Sequence, residues 1–91
     1  MMNGNERKMK MRYKVWNSIN APNEMHTYKV DSVDEAKRLI NQLTTEQLHD
    51  SSVLDNAFGL EWYDETEQEW SEWYDEFGDC ILEVMENEND N

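Results

Sequence analysis

The side chains with the greatest chemical capacity are concentrated between Glu61 and Glu76. This stretch, EWYDETEQEWSEWYDE, holds eight carboxylates, three tryptophans and two tyrosines, and contains no lysine or arginine. Two neighbouring carboxylates can share acid and base catalysis when one of them lies in a dry pocket that raises its pKa. Here carboxylates are so frequent that neighbouring pairs arise from composition alone, and no feature of the pattern marks a pocket. We therefore expect no catalytic residue and predict that the protein is not an enzyme.

The other reactive side chains are too isolated in the sequence to form a site. Cys80 is the one cysteine, so no disulfide can form within the chain. His26 and His49 lack a second ligand at the spacing that zinc sites require. The segment DEFGDCILE combines acids with a glycine, but without the alternation of oxygen ligands found in calcium loops. These observations predict no metal site and no cofactor.

Charge is divided unevenly along the chain. The 91 residues carry a formal net charge of −13, and all eight basic residues precede position 39. Residues 39–91 therefore contain sixteen acids and no base, which is more negative charge than ion pairs within the fold can neutralise. Such a body repels nucleic acid and anionic membranes, so we expect neither as a direct partner. The single cysteine and the lack of an apolar run of about 18 residues predict a cytoplasmic protein.

Hydrophobic periodicity predicts an α+β fold, in which an antiparallel sheet carries one main helix packed on one face, in the order ββα followed by a β-meander. Alternating apolar residues predict strands over 11–19 and 25–30, joined by a turn at residues 20–23. Ser32 and Glu35 form a capping box, which predicts the start of a helix. A separate short turn that packs Leu48 is expected at residues 46–49.

The period changes to two from Ala57 onward. This pattern predicts a hairpin with its loop at residues 66–68, and Gly78 and Asp79 then turn the chain into a last strand over 80–85. Spacings of three and four from Trp70 to Val84 also fit a C-terminal helix, so that alternative stays open. We expect residues 1–10 to form a flexible arm, 11–85 a single domain and 86–91 an acidic disordered tail.

An aromatic surface surrounded by carboxylates is the main functional signal. One helix covers only part of a sheet, so some of the rings should be exposed. Tryptophan and tyrosine are enriched at protein interfaces, and surrounding acids steer a basic partner; the alternative is a solvated strand face that serves stability and solubility. Burying Trp62 and Trp70 while exposing Trp73 is the simplest arrangement. The predicted partner-binding residues are Glu61, Trp62, Asp64, Glu65, Glu69, Trp70, Glu72, Trp73, Asp75, Glu76 and Asp79.

Four segments carry a resemblance to a known class of proteins: RYKVWNSI, VDSVDEAKRLINQL, NAFGLEWYDE and EWSEWYDEFGD. Together they span most of residues 12–78. In these segments, in size and in acidity, the chain resembles the small acidic accessory proteins of phages and prophages. Proteins of this class often block a host enzyme, including restriction and CRISPR nucleases, and some of them look like DNA. The resemblance implies a non-catalytic inhibitor that binds a nucleic-acid-binding defence protein in the host cytoplasm by polyanion mimicry.

Two other functional classes stay open. A small-ligand sequestering protein would need an aromatic pocket, and would hold an anionic nucleotide only where Arg12, Lys14 and Arg38 converge. A homo-oligomeric structural or accessory subunit would pair with itself, and a homodimer is one such form.

Overall fold

The structure, a computed structural model, describes residues 11–20 and 24–89. Within these ranges the chain forms four strands and two helices, which confirms the predicted α+β class. The predicted arm, residues 1–10, and the turn residues 21–23 lie outside the described residues. In chain order the elements are β1 (Tyr13–Ile19), β2 (Glu24–Val30), α1 (Val33–Leu48), β3 (Asn56–Asp64), β4 (Glu69–Glu72) and α2 (Ile81–Asn89).

The strands form one antiparallel sheet in the order β2-β1-β3-β4. Helix α1 packs against β1 and β2, and α2 packs against β3. Side chains from both helices share one core with the sheet, so both helices cover the same face. The core consists of Val15, Val30, Ala36, Ile40, Phe58, Leu60, Ile81 and Met85.

Helix α1 begins at the predicted cap. The Ser32 hydroxyl accepts a hydrogen bond from the Glu35 N–H at 3.0 Å. The Glu35 carboxylate accepts from the Asp31 N–H at 2.7 Å, so the reciprocal bond of the predicted capping box is displaced by one residue. The first bond satisfies an N–H group of the first helical turn that has no acceptor within the helix, and the second satisfies the N–H group of a residue just before the helix.

The predicted separate turn at residues 46–49 is wrong, because α1 continues without interruption to Leu48. Leu48 is 78% exposed rather than packed. Its neighbour Gln47 takes the inward position and donates from Nε2 to the Asn17 Oδ1 at 2.6 Å. Asn17 is fully buried and donates to the Ala57 carbonyl at 3.1 Å. A buried polar side chain therefore joins α1 to the two central strands.

The predicted last strand over 80–85 is wrong, since this segment belongs to α2. Ile81 and Met85, one helical turn apart, both enter the core. The Glu83 carboxylate accepts from the Cys80 N–H at 2.9 Å and so caps the helix start. Residues 86–89, predicted as part of a disordered tail, continue α2. The alternative C-terminal helix is thus correct from Ile81 onward, while the preceding residues of that pattern form β4 and a loop.

Candidate interaction surfaces

The predicted partner-binding residues do not share one surface. Strand register places Glu61, Trp70 and Glu72 on the side of the sheet that faces away from both helices, which we call the open face. Trp62 lies on the helix side, paired in register with Tyr13 and Ser71. The remaining predicted residues lie at the end of β3, in the β3–β4 hairpin turn, at the start of β4 or in the β4–α2 loop, residues 73–80.

The expected division of the tryptophans between core and surface is wrong for two of them. The Trp73 side chain packs against the core. Its backbone N–H donates to the Leu60 carbonyl at 2.8 Å, which extends the pairing with β3 beyond the end of β4. Trp70 lies on the open face instead, with its ring centroid 5.3 Å from that of Tyr63 in an edge-on arrangement. The difference arises because α2 covers the part of the sheet beside Leu60, which makes the Trp73 side the covered one.

Two of the predicted acids serve the backbone of their own turns. The Asp64 carboxylate accepts from the N–H groups of Thr66 and Glu67 at 2.9 and 3.2 Å and so forms the hairpin turn. The Asp75 carboxylate accepts from the N–H groups of Phe77 and Asp79, both at 2.9 Å. These are local turns in which a short acidic side chain replaces a backbone acceptor.

Two further acids form ion pairs with basic residues at the beginning of the first strand, Arg12 just before β1 and Lys14 within it. Glu65 lies 3.1 Å from the Arg12 guanidinium, and Glu61 lies 3.6 Å from the Lys14 ammonium. The same cations also lie over aromatic rings of the open face. The Arg12 guanidinium carbon is 4.1 Å from the Tyr63 ring centroid, and Lys14 Nζ is 4.4 Å from that of Trp70. The open face is therefore a mixture of rings and charges of both signs rather than an acidic surface.

The carboxylates of Glu69, Glu76 and Asp79 behave differently from those four. None of these three carboxylates has a hydrogen bond or an ion pair with another residue in the described part of the chain; Glu69 and Glu76 are exposed, and Asp79 is half-buried. They follow one margin of the sheet, along β4 and the β4–α2 loop. Two aromatic side chains of the same loop, Tyr74 and Phe77, are 56% and 80% exposed. We call these five residues the acidic edge.

Phe77 is a candidate anchor that sequence reasoning missed. It stands between turn-forming acids and Gly78, whose φ of 85° reverses the chain. Its backbone N–H donates a hydrogen bond to the Asp75 carboxylate. An antiparallel β-bridge between the backbones of Tyr74 and Cys80 joins the two ends of the loop. A large apolar side chain inside a polar turn was the available signal, because a turn residue that packs nowhere in the fold needs another reason to be aromatic.

A second pair of exposed apolar residues lies at and just beyond the C-terminal end of α1. Leu48 and Leu54 are 78% and 88% exposed and line a shallow cavity of about 230 Å³ with Val53 and Asn56. In the loop between them, the Ser52 hydroxyl and N–H donate to the Asp50 carboxylate at 2.7 and 2.9 Å. These bonds hold the pKa of Asp50 below its ordinary value.

The convergence of Arg12, Lys14 and Arg38 that a nucleotide-binding site would require is not found. Arg12 and Lys14 meet on the open face, whereas Arg38 belongs to α1 and lines a cavity of 450 Å³ with Tyr28 on the helix side. Within residues 11–20 and 24–89, no three His, Cys, Asp or Glu side chains are grouped so that they could hold a metal ion. Neither described helix combines the length and apolar character needed to cross a membrane.

Comparison with known proteins adds no relative. No protein-family model, no curated protein and no solved structure was found to match the chain.

Proposed function

We propose that this protein acts without catalysis, by binding a basic surface of another protein through the acidic edge. The observation that carries the proposal is Phe77, which projects 80% exposed from a closed loop between Glu76 and Asp79. Aromatic side chains dominate the energetics of many interfaces, and surrounding charges guide the encounter. An exposed ring among unpaired carboxylates is suited to a partner whose surface combines arginine or lysine with an apolar recess.

The conformation of the loop favours tight binding. Asp75 accepts two backbone hydrogen bonds that fix the turn around Phe77, and the Tyr74–Cys80 bridge anchors its ends. A side chain presented from a fixed backbone loses less conformational entropy on binding than one on a free segment. Phe77 can therefore contribute to affinity without first ordering the loop.

The chemical class of the partner follows from the charge. Arginine and lysine arrays that hold phosphates also bind spaced carboxylates, and the chain carries a net charge of −13. We infer that the partner is a nucleic-acid-binding protein, and that occupation of its basic surface inhibits it by polyanion mimicry. A phage-encoded inhibitor of a host defence protein, acting in the host cytoplasm, is the biological setting that fits this activity.

The test is capture from a bacterial lysate with the immobilised chain at about 0.1 M salt, followed by elution with duplex DNA. Unmodified protein should retain a nucleic-acid-binding protein that DNA displaces. Phe77→Ala should weaken its binding at least about tenfold, as expected for loss of an interface anchor. Leu54→Ala is the matched control, because Leu54 is an equally exposed apolar residue outside the acidic edge. Equal retention by the Phe77 variant and the unmodified chain would contradict the proposal.

A further inference from the structure

The open face of the sheet has no cover among the described residues. Both helices pack on the opposite side, where the core lies. The open face nevertheless carries large apolar side chains, with Met25 62% exposed on β2 and the rings of Trp16, Tyr63 and Trp70 on the other strands. A sheet face of this composition is typical of a surface that packs against another protein layer.

The charges on the open face follow a specific order across the strands. Register places Lys29 beside Lys14, Lys14 beside Glu61, and Glu61 beside Glu72. Read from β2 to β4, this row is positive, positive, negative, negative. Lys29 and Glu72, at the two ends, have no ion pair with another described residue. The row is therefore locally balanced in a chain whose net charge is −13.

We propose that the open face is the interface of a two-fold symmetric homodimer. A two-fold axis parallel to the strands and between β1 and β3 reverses the strand order of the second copy. The β4 strand of that copy then faces β2, and its β3 strand faces β1. The row of charges on one copy then meets the same row of the other copy in reverse order, so each lysine lies opposite a glutamate. A two-fold interface requires this self-complementarity.

The apolar residues fit the same axis. Trp16 on β1 is in register with Gly59 on β3, and its ring lies over the glycine so closely that a Cβ there would be 2.2 Å from Trp16 Nε1. The ring thus spans the gap between the two central strands, where the axis would pass. The rings from both copies meet at the centre of the interface, and the charged row flanks them.

Other occupants fit this surface less well. Nucleic acid would meet Glu61 and Glu72, and a basic protein would meet Lys14 and Lys29. A second copy supplies both signs in the required order. The excess negative charge of the chain does not prevent this, because packed sheets lie about 10 Å apart and charges on the outer layers are separated by more than the Debye length of about 8 Å at physiological salt.

Charge-reversal pairs provide the test, with mass measured by sedimentation equilibrium on the full chain. Unmodified protein should reach twice its 10.9 kDa mass in the micromolar range. Lys14→Glu with Lys29→Glu makes the row entirely negative, and Glu61→Lys with Glu72→Lys makes it entirely positive. Each double variant should be monomeric alone, and an equimolar mixture of the two should recover the dimer.

The positive double variant separates this proposal from a simple effect of net charge. It is less negative than the unmodified chain, so net charge alone would make it associate more strongly, whereas the proposed interface predicts that it stays monomeric. Lys37→Glu is the matched control, because Lys37 lies on α1 and pairs with Glu88 on the helix side. This control should remain dimeric.

A second pair of variants covers the case in which the charge variants lose their circular dichroism signal. Met25→Asp places a carboxylate on the open face and should give a monomer, whereas Leu48→Asp changes an exposed apolar residue on α1 and should stay dimeric. A monomeric unmodified protein at all concentrations up to about 100 μM, well above the micromolar range expected for the dimer, would overturn the proposal. A dimer that survives Met25→Asp or both charge reversals would overturn it as well.

Discussion

The close contact between Trp16 and Gly59 makes a quantitative prediction about stability. A Cβ at residue 59 would lie 2.2 Å from Trp16 Nε1 and 2.3 Å from Cε2, well inside van der Waals contact. The indole ring must therefore leave its place in the Gly59→Ala variant. Overpacking of this kind costs about 1–3 kcal/mol, and the lower backbone entropy of alanine in the unfolded chain offsets about 0.5–1 kcal/mol of it. We expect a net loss of about 0–2.5 kcal/mol, with a midpoint of about 1 kcal/mol.

The assay is urea unfolding followed by far-ultraviolet circular dichroism, which does not depend on the tryptophan being changed. The decisive comparison is a double-mutant cycle with Trp16→Ala. Once the ring is absent, Gly59→Ala should be neutral or stabilising by about 0.5–1 kcal/mol. Gly78→Ala is the control, because Gly78 has no neighbour within 4 Å of a Cβ but has a φ of 85°; its cost should be the same with and without Trp16. An equal cost of Gly59→Ala in both backgrounds would refute the reasoning.

Three further predictions concern the buried amide, one aspartate and the charge imbalance. Asn17→Ala should destabilise the fold by about 1–3 kcal/mol in urea unfolding, because it removes the buried partner of the Ala57 carbonyl and the Gln47 amide; an unchanged midpoint would contradict this. Ser52→Ala should raise the pKa of Asp50 toward its ordinary value in a carboxylate NMR titration. Because the folded-state pKa of Asp50 is lowered, the stability from its bonds is present above the unfolded-state pKa and is lost as the pH falls through the folded one. Raising NaCl from about 0.05 to about 0.5 M shortens the Debye length from roughly 14 to roughly 4 Å. The midpoint temperature of thermal unfolding should rise, because screening relieves repulsion among the acids of residues 39–91. A lower midpoint temperature would contradict this and would mean that ion pairs dominate.

Local patterns predicted the parts of the fold that depend on neighbouring residues. The side chains of Ser32 and Glu35 predicted where α1 begins. The two-residue period predicted that Trp16 and Val15 lie on opposite faces of the sheet, and likewise Trp70 and Trp73. Which of two opposite faces is covered is a different matter, because it depends on where a distant helix packs. The prediction that Trp73 is exposed failed for this reason, since α2 was read as a strand.

The candidate site was predictable in composition but not in geometry. Carboxylate-rich sequence indicated an acidic surface, yet Asp64 and Asp75 are used by their own turns, and Glu61 and Glu65 by ion pairs. These roles depend on which N–H groups and cations the fold brings within reach. Phe77 was missed because its neighbours are turn formers, and turn chemistry alone accounts for the segment without its ring.

The central claim is that binding depends on where the acids lie, rather than on net charge alone. The most direct measurement compares partner capture by two variants that each lose three negative charges. One neutralises the acidic edge by Glu69→Gln, Glu76→Gln and Asp79→Asn. The other neutralises three exposed acids elsewhere, by Asp34→Asn, Glu46→Gln and Asp55→Asn. We predict that the first variant loses the partner at about 0.1 M salt and the second retains it. Equal loss from both variants, or equal retention by both, would contradict the account.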